Sequence, residues 1–177
     1  MTAKTALARL SRKLVSAVTL LSVGCGGAGT TNVAPAHACS SPLLGTWKLQ
    51  SFTTEFLDTG QKVEPFGAQP SGYLSYGADC RMYGIVVRAD RRPPEGADPT
   101  DSEKIELFTG MGAYAGTYTI EGDKVSHHVD VSWNQAWTGT TQVRQFKIDG
   151  NTLQIRAEDS LDGRAGTATL VWIKVQP

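Results

Sequence analysis

No Asp or Glu occurs in the first 54 residues; the earliest carboxylate in the chain is Glu55. The chain also has only three cysteines and three histidines, and one of those histidines, His37, stands apart from the pair His127-His128. So few ligands argue against a histidine-rich metal site, and two adjacent histidines on one strand would point to opposite faces. No metal or other cofactor is therefore expected. Gly-x-Ser-x-Gly, phosphate-loop and dinucleotide fingerprints are all missing, which removes the common signatures of hydrolases and nucleotide enzymes. No apolar run reaches the roughly 20 residues needed to span a bilayer as a helix.

What the chain does have is 177 residues with 40% hydrophobic and 19% charged side chains, the balance of one globular domain. Charge is unevenly placed. Lys4, Arg9, Arg12 and Lys13 make residues 1–13 basic, and Leu14 to Val23 form a short apolar segment. That order reads as a secretory signal. Three endings compete: the Ala36-His37-Ala38 triplet, the small residues Gly26 to Gly29, and Leu21-Ser22-Val23-Gly24-Cys25. The last resembles a lipobox, with Cys25 as the lipidation candidate, although Ser22 stands where such a motif prefers Leu. Residues 1–38 are accordingly expected to be a leader or a flexible tether, and the protein to be exported: periplasmic, secreted or lipid-anchored. A leader ending anywhere from Leu14 to Ala38 removes four of the 17 basic side chains and none of the 17 acidic ones, leaving a net charge of −4. A surface of that sign argues against phosphate-backbone binding and against docking on anionic lipid. Cys39 and Cys80 then remain, and an oxidising compartment would permit a disulfide between them.

From Gly45 onward apolar and polar residues alternate in short runs separated by turn residues, the pattern of an antiparallel sandwich or barrel. Strands are expected near 45–56, 72–77, 80–88, 114–120, 123–131, 141–148, 151–157 and 165–174. A brief extra pairing is expected at Lys62-Val63 after the Asp58-Thr59-Gly60 turn. One helix is expected near 101–110, with Asp101 or Ser102 as its cap. The segment from Arg88 to Gly96, rich in arginine and proline, is expected to cover one barrel mouth as a loop.

Two turns assign the faces. Glu121-Gly122-Asp123-Lys124 sets Ile120 opposite Val125, Tyr118 opposite His127 and Gly116 opposite Val129. Asp149-Gly150 sets Ile148 opposite Asn151, Phe146 opposite Leu153 and Arg144 opposite Ile155. The apolar members mark the inward face. His127 then points inward beside Val125, Val129 and Val131, His128 points outward, and Gln142 and Arg144 share the inward face with Phe146 and Ile148. Inward polar groups need partners, because each one left unpaired costs about 1–3 kcal/mol. Arg144, Gln142, His127, Tyr118 and Tyr114 are thus candidates for the polar end of a cavity, with Trp137 at its rim; the alternative is an internal hydrogen-bonded plug.

Leu44-Gly45-Thr46-Trp47-Lys48-Leu49, Pro70-Ser71-Gly72-Tyr73-Leu74-Ser75-Tyr76 and Ala113-Tyr114-Ala115-Gly116-Thr117-Tyr118 carry a resemblance. So do Val125-Ser126-His127-His128-Val129, Trp137-Thr138-Gly139, Gln142-Val143-Arg144 and Leu170-Val171-Trp172. Together these segments, spread in order over residues 43–174, resemble the bacterial and fungal lipocalin-like domain proteins. The resemblance implies an all-β, antiparallel up-and-down barrel of about eight strands over 43–177, with one short helix and a small-molecule site inside. It does not imply one activity. Three functions follow as expectations. The first is an exported barrel binding a small, largely apolar ligand with a polar or anionic group for Arg144. The second is a cavity enzyme, an isomerase, cyclase or hydratase, in which His127 and Tyr118 would move protons and Arg144 stabilise an oxyanion. The third is a lipid-anchored envelope module that binds another protein.

Overall fold

Alternation of side chains along each strand, with β-branched and aromatic residues on the inward face, builds one closed sheet. The computed structural model describes residues 39–176; the leader, its cleavage alternatives and Cys25 lie outside the described residues. The strands are β1 (Gly45–Phe56), β2 (Lys62–Val63), β3 (Ser71–Tyr76), β4 (Arg81–Val87), β5 (Met111–Glu121), β6 (Lys124–Ser132), β7 (Thr141–Asp149), β8 (Thr152–Leu161) and β9 (Arg164–Lys174). One helix, α1 (Asp101–Thr109), lies between β4 and β5. Every pairing is antiparallel, the order is β2-β1-β3-β4-β5-β6-β7-β8-β9, and β1 also pairs β9. Eight strands therefore close on themselves, and the two-residue β2 is an addition on the far half of β1. Closure removes the unpaired edges that would otherwise invite association.

The hairpin at Gly122 has the expected register: Ile120 faces Val125, Tyr118 faces His127 and Gly116 faces Val129. The hairpin at Gly150 does not. Ile148 pairs Leu153 and Phe146 pairs Ile155, so the loop residues are Gly150 and Asn151, not Asp149 and Gly150. Gly150, at φ 56, takes the first loop position, where a left-handed backbone costs a glycine little. The slip is two residues, and an even slip preserves which side chains face inward.

A second correction comes from a bulge. Ala115 pairs Val131 while the next residue, Gly116, pairs Val129, so Asp130 is an extra residue in β6. One added residue reverses the alternation beyond it. Val131 consequently points outward and is 58% exposed, whereas Val129 is 3% exposed. Gly116 permits this close approach, since a Cβ there would collide with the His128 carbonyl. Asp130 itself reaches Arg81 at 2.7 Å.

Thr100, not Asp101 or Ser102, caps α1. Its hydroxyl accepts from the Glu103 N–H, and the Glu103 carboxylate accepts from the Thr100 N–H at 2.7 Å. Thr-Asp-Ser-Glu is thus a reciprocal capping box, for which the spacing of Thr and Glu is decisive.

Most of the buried core sits at one end, the base. Leu43, Trp47, Tyr76, Met82 and Tyr118 are all nearly inaccessible there. The Trp47 indole N–H donates to the Leu43 carbonyl at 2.8 Å, and Lys174 Nζ lies 5.0 Å from the Trp47 ring centre. Cys39 and Cys80 form a disulfide, with Cα atoms 5.1 Å apart, and so fasten the entering chain to the base.

Candidate ligand cavity

Above the base the barrel is hollow. A cavity of about 520 Å³ is walled by apolar side chains that include Phe52, Leu74, Val86, Ile155, Leu170 and Trp172. Into it also face Tyr114, His127, Trp137, Gln142 and Arg144. Five of the six residues expected to contact a ligand are therefore brought together. The sixth, Tyr118, is not: it is 2% exposed, does not line the cavity, and donates its hydroxyl to the Gly77 carbonyl at 3.1 Å.

His127 is held on both sides. Its Nε2 lies 2.8 Å from the Tyr76 hydroxyl and its Nδ1 lies 2.8 Å from the Tyr114 hydroxyl. Tyr118, although opposite His127 across the hairpin, packs edge-on against Tyr76. Burial, followed by the nearby Arg144 charge and by His128, depresses the His127 pKa to about 3. The imidazole is thus neutral at physiological pH. Burial also raises Tyr76 well above the usual phenol range. Burial raises Tyr114 too, opposed by the Arg144 guanidinium beside it.

Arg144 stands on the inward face of β7, half-buried, and is the partner of Val125 across the β6 ladder. Its guanidinium donates to the Val143 carbonyl at 3.1 Å and to the Gln142 side-chain oxygen at 3.2 Å. Gln142 in turn donates to the Thr140 hydroxyl at 2.8 Å. Among the described residues Arg144 forms no ion pair with a carboxylate. A guanidinium presents five N–H donors and no acceptor, so these bonds and a further contact to Tyr114 occupy only part of its hydrogen-bonding capacity.

Trp137 is placed by a short 3₁₀ turn, Gln135–Trp137, that the Asn134 side chain caps by accepting from the Ala136 N–H. Its ring meets Tyr114 edge-on at 5.5 Å and Trp133 at 5.0 Å. The rim thereby acquires an aromatic cluster, which suits an apolar guest that keeps one end wet. None of residues 88–96 lines this cavity, contrary to the expected cover. Arg88, Arg91 and Arg92 instead line a separate crevice beside α1, where Arg88 pairs with Asp90 at 2.9 Å.

Tyr76, behind the cavity wall, and Asp159, which lines it together with Glu158 and Ser160, were not among the expected site residues. Tyr76 alternates with Leu74 on β3, so its inward direction was readable, but its meeting with His127 across the barrel was not. Asp159 lines the cavity because β8 runs on to Leu161 and does not stop at 157. Its carboxylate accepts from the buried Thr54 hydroxyl at 2.8 Å and from the Ser160 N–H at 2.9 Å. No three His, Cys, Asp or Glu side chains converge as a metal site among the described residues, and no described helix is long and apolar enough to cross a membrane.

The model of the lipocalin-like domain matches residues 44–175, nearly the whole barrel. The chain belongs to the lipocalin-like domain family. None of the curated proteins matches it. Among solved structures it is similar to an uncharacterized protein from Bacteroides eggerthii, at 12% identity and a TM-score of 0.37, over 75% of this chain and 99% of that one. A lipocalin-like barrel supports ligand binding in general, since eight strands leave an interior wide enough for one small molecule.

Proposed function

We propose that this lipocalin-like protein is an exported binder of a small, largely apolar molecule that carries a polar or anionic group. The observation that carries the reading is Arg144, a half-buried cation with no carboxylate partner among the described residues, facing a largely apolar cavity of about 520 Å³. That volume lies within the range of small-molecule sites, which pair apolar walls with a few fixed polar groups. Export is supported by the basic and then apolar order of residues 1–23 and by the Cys39–Cys80 disulfide. The mature form would be periplasmic, secreted or anchored through Cys25.

Native mass spectrometry of the protein purified from its own host tests the binding. A bound species of defined mass is expected on the wild type and should be lost from Arg144→Gln, while that variant melts within a few degrees of the parent. Protein that is consistently empty, or equal retention by Arg144→Gln, would overturn the assignment. Intact mass of the mature chain separates the anchored form from the others: a lipid-modified Cys25 terminus gives the anchored form, and a free terminus near Gly29 or Cys39 gives an unanchored form, periplasmic or secreted.

A further inference from the structure

The polar end of the cavity contains a countable set of protons. A neutral imidazole has one N–H donor and one bare nitrogen acceptor. His127 bonds two tyrosine hydroxyls, each of which brings one proton. One hydroxyl proton goes to the bare ring nitrogen, and the ring N–H goes to the other hydroxyl oxygen. The proton of that second hydroxyl is left without a partner inside the trio.

Burial decides which tyrosine keeps it. Tyr76 is 1% exposed, does not line the cavity, and has His127 as the hydrogen-bond partner of its hydroxyl. A spare proton there would be a buried, unsatisfied donor at a cost of about 1–3 kcal/mol. Tyr114 lines the cavity, where a water or a guest can accept. The lower-energy order therefore has Tyr76 donating to Nε2 and Nδ1–H donating to the Tyr114 oxygen. The Tyr114 proton then points into the cavity. Beside it stands Arg144, which can only donate.

We propose that Tyr76 and His127 act as positioning residues that turn the Tyr114 hydroxyl into a hydrogen-bond donor toward the cavity, so that Tyr114 and Arg144 form a paired-donor site for an unprotonated oxygen: a carboxylate, an enolate or a ketone carbonyl. The assignment of ligand class rests on the cavity being a binding site; the proton order does not.

Two measurements test it. Long-range ¹H–¹⁵N correlation of the histidine rings in the wild-type protein at neutral pH should show His127 as the Nδ1–H tautomer, the minority form of free histidine. An Nε2–H ring or an imidazolium overturns the proposal. Tyr114→Phe should keep the Nδ1–H signature, because Tyr76 still donates to Nε2. Tyr76→Phe should lose the single-tautomer signature, and an unchanged signature in that variant overturns the positioning role. Decanoate and decylammonium, titrated by calorimetry, probe the ligand class. Decanoate should bind, decylammonium should bind at least tenfold more weakly, and Tyr114→Phe should weaken decanoate by about tenfold, the loss of one charge-assisted hydrogen bond. Equal binding of the two probes, or of decanoate to both proteins, overturns the paired-donor site. A host-derived ligand that carries only donor groups would do the same and leave the barrel's binding function intact.

Discussion

The base and the open part of the barrel use the same strands to opposite ends. At the base, Trp47, Tyr76, Met82 and Tyr118 fill the interior completely, and each polar tip finds a fixed partner within the protein. Towards the mouth the inward positions carry Gln142, Arg144 and Asp159, and the 3₁₀ turn adds Trp137, around open space. Packing to crystal-like density is what stabilises the first region. The second gives up that packing, and its polar groups keep capacity for something that is not part of the chain. His127 stands at the junction, bonded to Tyr76 of the core on one side and to Tyr114 of the cavity on the other.

The contrast can be broken most severely at the base. Trp47→Ala should cost about 3–5 kcal/mol in urea unfolding, while Trp137→Ala, at the half-open rim, should cost under about 1 kcal/mol. Equal losses would mean that the two ends are packed alike. Next is the strap that holds the entering chain to the base. The bond spans 41 residues of sequence, so Cys39→Ser with Cys80→Ser should destabilise by about 2–4 kcal/mol, measured against the oxidised parent.

At the junction the effect depends on pH. The folded His127 pKa of about 3 lies below its unfolded value of about 6.5, so the unfolded chain binds more protons throughout that interval. Its contribution to stability is therefore fully present above about pH 6.5 and falls as the pH drops towards 3, by at most about 1.4 kcal/mol per unit. Urea midpoints between pH 6.5 and 5 should slope less in His127→Gln than in wild type; parallel slopes would show that the ring is not held neutral. The smallest expected effect sharpens the face assignment. Val131→Asp, on the outward side of the bulge, should change stability by less than about 0.5 kcal/mol, and Val129→Asp by several times more.

Alternation and turn chemistry were enough to place the strands, the inward direction of His127, Gln142 and Arg144, and the outward one of His128. These are local properties, decided by a period of two and by a glycine at the turn. The failures were of another kind. Val131 was turned by one inserted residue, Asp130, whose presence depends on how β5 and β6 pair. The Gly150 hairpin slipped by two residues because the loop could form one position later with its inward faces unchanged. The segment from Arg88 to Gly96 lines a crevice with α1 and not the barrel cavity, a placement that no local turn signal specified.

By itself, the sequence determined that the region from Gly45 onward is built of alternating antiparallel strands, and that its inward face carries an arginine and a histidine. Only the tertiary structure decided which tyrosines meet that histidine, because Tyr76 and Tyr114 lie on strands that reach His127 across or around the barrel wall. It also decided that Tyr118 turns to the base and that the space beside Arg144 is open. Closure of the sheet sets those distances, and no local period encodes them.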